Sequence, residues 1–307
     1  MRQGIIALTA LVLVCALGLL VSGPVFAHAH GDGHGHSHGH KEHTGDKVGI
    51  LLVAFGSSYP QAQAAFDNIE DQVKKDFPET PVRWAYTSRM IRRKLAKEGK
   101  NFDAPVQALA NMQDEGFTHV AVQSLHTIPG AEFHDLKSVV NAFSSMSGGF
   151  EKVMLGSPLL AAPGDLKQVR RAMLANIPQD RTEGEAVIFM GHGTHHPSNA
   201  FYQAMAYLVQ EKDSNIYVGT VAGSPAVDGI LADLKEKGLS KAYLMPFMSV
   251  AGDHVRNDMA GEGSDSWKSI LAQAGIECEP ILKGTAEYDN VVDIWVEHLH
   301  GVMAHFK

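Results

Sequence analysis

Residues 186–200 read AVIFMGHGTHHPSNA: an apolar run, a loop of glycine and histidine, then a proline placed to begin a helix. A short continuous apolar run bounded by glycines is the pattern of a strand buried on both faces. Pro197 suits the first turn of the helix that follows. The stretch VGILLVAFGSSYP, residues 48–60, is built the same way. Aligned without gaps, Phe55 falls on His192, Gly56 on Gly193, Ser57 on Thr194 and Pro60 on Pro197. The chain therefore carries an internal repeat, with histidine standing in its second copy where phenylalanine stands in the first.

Further apolar runs follow each copy: PVRWAYT, THVAVQSL and EKVMLG in the first half, NIYVGT, KAYLMPF and IECEPIL in the second. Amphipathic segments separate them. Phe66, Ile69, Val73 and Phe77 recur at helical spacing ahead of Pro78, and a further helix is expected from Asp103 to just before Gly116. Helices of the second half are expected to end at Gly238 and Gly275. A last helix runs from Asp289 to about His305, with Val292, Trp295, Leu299 and Val302 on one face. This alternation predicts an α/β protein of two similar Rossmann-like lobes, each with a parallel sheet, around a central cleft. The lobes are expected at residues 47–175 and 176–307, the second including the final helix. Open parallel sheets bind ligands beyond the carboxyl ends of their strands, so the chemistry belongs in the strand-end loops of both halves.

The beginning of the chain has another character. A basic start, the apolar run IIALTALVLVCALGLLV and the small residues of SGPVFAHA read as a secretory signal peptide, residues 1–27, with Ala29 as the alternative cleavage point. Periplasmic export without stable membrane insertion after cleavage is the expectation. Seven histidines then fall between His28 and His43 among glycine, serine and aspartate. This segment, residues 28–46, has no apolar residue able to support a core and suits loose collection of first-row metals. Removing the signal leaves Cys278 as the only cysteine, so no intramolecular disulfide is expected. A net charge of -8 and the lack of a basic, aromatic-interleaved run exclude a nucleic-acid partner. Neither glycine loop has dinucleotide or P-loop spacing, which excludes a bound nucleotide on the same grounds.

His192, held between Gly191 and Gly193, is the first candidate for chemistry, because glycines let backbone and imidazole approach a ligand closely. His195 and His196 read as helix-entry residues. His254 is the second, in SVAGDHVRNDMAGEGSDSW, where Asp253, Asp258, Glu262 and Asp265 make an acidic loop. The equivalent loop of the first half, SLHTIPGAEFHDL, carries His126 and His134. Two histidines without a thiolate make a poor closed zinc site and a better open one, from which an ion can be passed on. GSS lacks the flanking pattern of a nucleophile elbow.

Together, LLVAFGSSY, HTIPGAEFHDL, GHGTHHPSNAFY and SVAGDHVRNDMAGEGSDSW closely resemble the sirohydrochlorin cobaltochelatases of the anaerobic cobalamin pathway, relatives of the class II chelatases that share the ferrochelatase fold. The resemblance runs from about Val48 to the C-terminus. It implies ATP-independent insertion of a divalent ion, Co²⁺ first and Fe²⁺ second, into a tetrapyrrole held between two lobes. It also implies that His192 and His254 are the metal and catalytic histidines. Phe55, Gly56, Ser57, His126 and Gly193 then line the tetrapyrrole site, and Arg89, nearest the strand end in TSRMIRRKLAK, is the candidate partner for its carboxylates. At one position the chain departs from the family pattern: Ala222, in VGTVAGSPAV, stands where the family carries a glutamate. An anionic ligand and proton acceptor is thereby lost, leaving an acidic-loop carboxylate or water to complete the shell.

The chemistry suits these residues. Metal insertion removes two pyrrole N–H protons and strips water from the ion, and a neutral imidazole can both hold the metal and accept a proton. A non-enzymatic periplasmic carrier of metal or tetrapyrrole, serving a metal transporter, is the competing reading, and a histidine-rich buffer is a third. Homo-oligomers are compatible with all three.

Overall fold

The protein is described here by a computed structural model covering residues 45–306. The expected signal peptide and the histidines of the histidine-rich segment lie outside the described residues. Eight strands form where the apolar runs predict them. In the first half they are β1 (Val48–Ala54), β2 (Val82–Tyr86), β3 (His119–Ser124) and β4 (Lys152–Gly156). In the second half they are β5 (Ala186–Gly193), β6 (Ile216–Ala222), β7 (Lys241–Pro246) and β8 (Glu277–Pro280). They make two four-stranded parallel sheets, ordered β2-β1-β3-β4 and β6-β5-β7-β8. The two orders are the same, so the repeat visible in the loop sequences extends to the topology of each half.

The connections are helical, as parallel pairing requires. They are α1 (Gln63–Asp76), α2 (Arg89–Lys97), α3 (Pro105–Asp114), α4 (Ala131–Ser144) and α5 (Pro163–Ala175), then α6 (Ala200–Gln210), α7 (Val227–Glu236), α8 (Trp267–Gln273) and α9 (Asp289–Met303). Two of these, α2 and α3, join β2 to β3. The second begins at Pro105 rather than at Asp103, with Ala104 extended before it. Proline lacks the N–H that a helix leaves unpaired at its first turn and disfavours helical geometry in the residue before it. Asp103 instead accepts the Tyr86 N–H on its backbone carbonyl at 2.9 Å and the Asn111 side-chain amide on its carboxylate at 2.9 Å.

One core runs through both halves, from Ile50, Leu52 and Phe66 to Val187, Phe189 and Phe247. Residues 45–306 belong to a single compact unit, so the lobes are packed together rather than strung on a linker. The last helix contributes to this union. Although it follows β8 in sequence, α9 packs across β3 and β4 and against α1 and α5. Its stripe of Val292, Trp295, Leu299 and Val302 is buried there. Each such side chain contributes roughly 1.5–3 kcal/mol relative to exposure, so α9 fastens the end of the second half onto the first. No helix among the described residues is long and apolar enough to cross a membrane.

Candidate active site

The repeated loops at the ends of β1 and β5 turn on equivalent glycines. Gly56 has φ +94° and Gly193 has φ +75°, a region that side chains with a Cβ rarely enter. Space demands glycine as well. A Cβ on Gly193 would sit 1.7 Å from the Ala222 carbonyl oxygen, and one on Gly56 would sit 2.6 Å from the Tyr86 ring. Any other residue at 193 would displace the strand end that presents His192.

His192 and His254 come together at this end of the second sheet. Their ring centroids are 4.6 Å apart with planes at 81°. His192 Nδ1 lies 2.8 Å from the Gly193 carbonyl oxygen, which can only accept, so Nδ1 carries the hydrogen and Nε2 keeps its lone pair. His254 precedes a π-helical turn, Val255–Met259, that brings Asp258 back onto its own Nδ1 at 2.5 Å. A carboxylate on Nδ1 fixes the tautomer and ring orientation and raises the basicity of Nε2, the usual support of a metal-binding histidine. Among the described residues neither Nε2 has a hydrogen-bond partner. The pair thus offers two neutral nitrogen donors. The acidic-loop carboxylate engages the far side of His254 through Nδ1.

The lobes meet over this site in two contacts related by the repeat. The β1 loop touches the β7 loop: Tyr59 donates its hydroxyl to Asp253 Oδ1 at 2.7 Å, and a Cβ placed on Gly252 would lie 3.6 Å from Ser57 Oγ. The β3 loop touches the β5 loop: the rings of His134 and His196 are 5.0 Å apart, and a Cβ on Gly130 would lie 3.7 Å from Ser198 Oγ. Since β1 corresponds to β5 and β3 to β7, each half lends one loop of each kind to the seam. The hydrogen bond to Asp253, followed by burial, pushes the Tyr59 hydroxyl above its ordinary range. Lys94 from α2 and Arg256 from the β7 loop each place their charge 5.5 Å from the Tyr59 ring, a cationic setting suited to a polycarboxylate.

The remaining candidates differ in accessibility. Phe55 is 47% exposed, unusual for a large apolar residue at a strand end. Ser57 is buried, its Oγ accepting from Tyr59 N–H at 3.2 Å, so it shapes the loop that carries the tyrosine. Arg89 opens α2 in the open, behind the Ser88 cap on Ile91 N–H. His126 is half-buried: Nδ1 pairs with Ser124 Oγ at 2.8 Å, while Nε2 is buried without a partner. Burial pushes this imidazole down to about 4. His196 caps the turn that leads into α6, as a helix-entry residue should.

Comparison with known proteins identifies the family. Residues 48–304 match the family described as cobalt chelatase (CbiK). The chain belongs to the cobalt chelatase family. Among its curated relatives, the sirohydrochlorin cobaltochelatase CbiKC of Nitratidesulfovibrio vulgaris is 47% identical over 253 residues, 82% of this chain and 89% of that protein. The sirohydrochlorin cobaltochelatase of Salmonella typhimurium is 36% identical over 256 residues, 83% of this chain and 96% of that protein. In fold, the chain is similar to SirB from Bacillus subtilis with Fe³⁺, at a TM-score of 0.56 and 15% identity, covering 85% of this chain and 97% of that one. SirB in complex with cobalt gives a TM-score of 0.54 at 14% identity, over 84% and 96% of the two chains.

Two features of this chelatase are absent from the list of candidates drawn from its sequence: the role of Asp258 as support for His254, and the Tyr59–Asp253 bridge with Arg256 beside it. The first had a signal in the four-residue spacing of His254 and Asp258, which places both on one helical face. The second joins residues 194 apart in the chain and left no local trace.

Proposed function

We propose that this cobalt chelatase inserts a divalent first-row ion, cobalt first and ferrous iron second, into sirohydrochlorin without a nucleotide. The observation that carries the reading is the pair of imidazoles, His192 and His254, each held at Nδ1 and each keeping an Nε2 lone pair. The names of the curated relatives support the substrate. Two neutral donors hold a divalent ion weakly, and weak ligation suits an ion that must leave for four ring nitrogens. As the metal moves into the macrocycle, two pyrrole N–H protons leave. The two imidazoles, whose Nε2 atoms have lost the metal, accept one each, and Asp258 stabilises the imidazolium that forms on His254. Phe55 offers an apolar wall to the macrocycle, while Lys94, Arg256 and Arg89 meet its carboxylates. Their positive charge also favours departure of the protons.

The proposal includes export, supported by the N-terminal apolar run and its small-residue cleavage sites; mass spectrometry of the native protein identifies the mature N-terminus. The activity is tested by following the absorbance of sirohydrochlorin with purified protein and Co²⁺ or Fe²⁺. Many turnovers per chain are expected. Uptake that stops at one equivalent would replace the enzyme by a carrier.

A further inference from the structure

Among the described residues, the group of three side chains placed to share an ion is not at the cleft. Asp46, His119 and Glu151 each bring one ligand atom within 4.8 Å of the others. They sit at the opposite end of the first sheet. Asp46 precedes β1, His119 opens β3 and Glu151 precedes β4, three neighbouring chain segments at the amino ends of their strands. Strands of this length span about 20 Å, which separates the cluster from the strand-end loops. We propose that these residues form a second divalent-metal site, one imidazole nitrogen and two carboxylate oxygens, that takes a first-row transition ion such as Co²⁺ with water in its remaining positions.

The scaffold is pinned. Thr118 and His119 both donate their N–H to the Lys47 carbonyl, at 2.9 and 3.2 Å, and Glu151 donates its N–H to the Thr118 carbonyl at 2.8 Å. Thr118 Oγ1 accepts the Lys47 N–H at 2.9 Å and lies 3.4 Å from the Lys47 carbonyl. The same oxygen lies 2.9 Å from His119 Nδ1. With a hydroxyl on Nδ1 that can accept its hydrogen, Nε2 is the nitrogen free to ligate, and it has no hydrogen-bond partner among the described residues. His119 is only 9% exposed, packed edge-on against Phe306 at 5.3 Å. A buried imidazole with one nitrogen tied by a hydroxyl and the other unpartnered beside two carboxylates is prepared for a cation rather than for solvent.

The flanking lysines do not compete for the carboxylates. Lys47 Nζ is held by the Glu115 carbonyl at 2.6 Å and Lys152 Nζ by the His305 carbonyl at 2.7 Å. Two carboxylates then leave the site anionic, and the imidazole selects a transition ion over Mg²⁺ or Ca²⁺, which prefer all-oxygen shells. Three protein ligands with open positions make an exchangeable site rather than a closed structural one. In the sequence, Asp46 follows His43, the last histidine of the histidine-rich segment, by three residues. The second site therefore adjoins the histidine-rich segment in sequence.

The test uses the full chain with Co²⁺ alone. An anomalous difference map from a Co²⁺-soaked crystal should show an ion between His119, Asp46 and Glu151. By equilibrium dialysis, Glu151→Gln and Asp46→Asn should each bind one Co²⁺ fewer per chain than the parent, and His119→Ala should lose the same equivalent. Insertion into sirohydrochlorin at saturating Co²⁺ should stay within about twofold of the parent in Glu151→Gln, because that site is remote from the cleft. Both carboxylates are at exposed positions, so their variants should fold even if His119→Ala does not. No anomalous peak at the cluster, or unchanged Co²⁺ stoichiometry in both carboxylate variants, would overturn the proposal.

Discussion

Tyr59 of the first half donates its hydroxyl to Asp253 of the second at 2.7 Å, one residue before His254. This bond connects the seam between the lobes to the loop that presents His254. Anything that opens the seam also loosens that loop.

Tyr59→Phe removes the bond and keeps the ring between Lys94 and Arg256. A hydrogen bond of this kind is worth about 0.5–1.5 kcal/mol, and because the bond lies in an exposed setting and the half-buried ring is kept, the effect on stability is small. The melting temperature should fall by no more than a few degrees. The expected loss is in kcat/KM for the tetrapyrrole, roughly 3–10-fold, read from initial rates at several substrate concentrations. A rate indistinguishable from the parent would mean that the bridge has no part in substrate capture.

Asp258→Asn replaces the group that holds His254 Nδ1. An amide can present its NH₂ to Nδ1 and so favour the tautomer with hydrogen on Nε2, the wrong nitrogen for a metal. Loss of such a supporting group costs about 10–100-fold in affinity or activity. The apparent KM for Co²⁺ should rise within that range, with an unchanged circular dichroism spectrum. If only thermal stability moves, Asp258 is a structural residue.

His126 makes stability depend on pH. Burial holds its folded pKa at about 4, against about 6.5 for an unfolded histidine. Between these values the unfolded chain binds a proton that the folded chain refuses, so ν_U exceeds ν_N and stability rises with pH. The contribution is complete above about pH 6.5 and is lost progressively as pH falls toward 4, with a slope of up to ~1.4 kcal/mol per pH unit. His126→Gln removes the titration while keeping a polar side chain near Ser124. Urea unfolding at several pH values through that window should give a flatter dependence for the variant than for the parent. Parallel curves would place the acid sensitivity elsewhere.

What could be read in advance follows from the range of the interactions involved. Strands buried on both faces are continuous apolar runs, so β1, β3, β5, β6 and β7 are visible as local strings, and the glycine loops reveal the repeat because positive φ restricts residue choice. The apolar stripe of α9 announces burial but not its partner. Nothing local in Trp295 says that it will rest on the first sheet rather than the second. The same limit hid the bridge between Tyr59 and Asp253. His119 looks like an ordinary strand residue until register sets it between Val48 and Lys152, and only then do Asp46 and Glu151 become its neighbours.

His192→Ala and His254→Ala test the centre of the proposed chemistry. Each removes one of the nitrogens from which the ion is proposed to be passed on; His192 is an exposed residue at the end of β5 and His254 lies beyond the end of β7, so the core should persist. Insertion should fall by roughly 10²-fold or more, the scale of a positioned acid–base group. The double variant should be little worse than either single one, because one remaining imidazole cannot deliver the ion alone. Wild-type rates in both single variants would remove these residues from the mechanism.

Ala222 supplies the converse experiment. It ends β6 and pairs with Gly193, the residue after His192, so its Cα stands about one inter-strand spacing, ~4.8 Å, from the strand that carries that histidine. A carboxylate introduced there by Ala222→Glu adds negative charge beside two neutral donors. Attraction between a carboxylate and a divalent ion strengthens the resting complex more than the departing one, because the ion moves away from the carboxylate as it enters the macrocycle. The apparent KM for Co²⁺ should therefore fall while kcat at saturating Co²⁺ falls with it, the pattern of ground-state stabilisation. Ala222→Gln adds similar bulk without the charge and should produce neither change. If the glutamate and glutamine variants behave alike, the charge at position 222 does not act on the ion, and the pair of histidines handles it unaided.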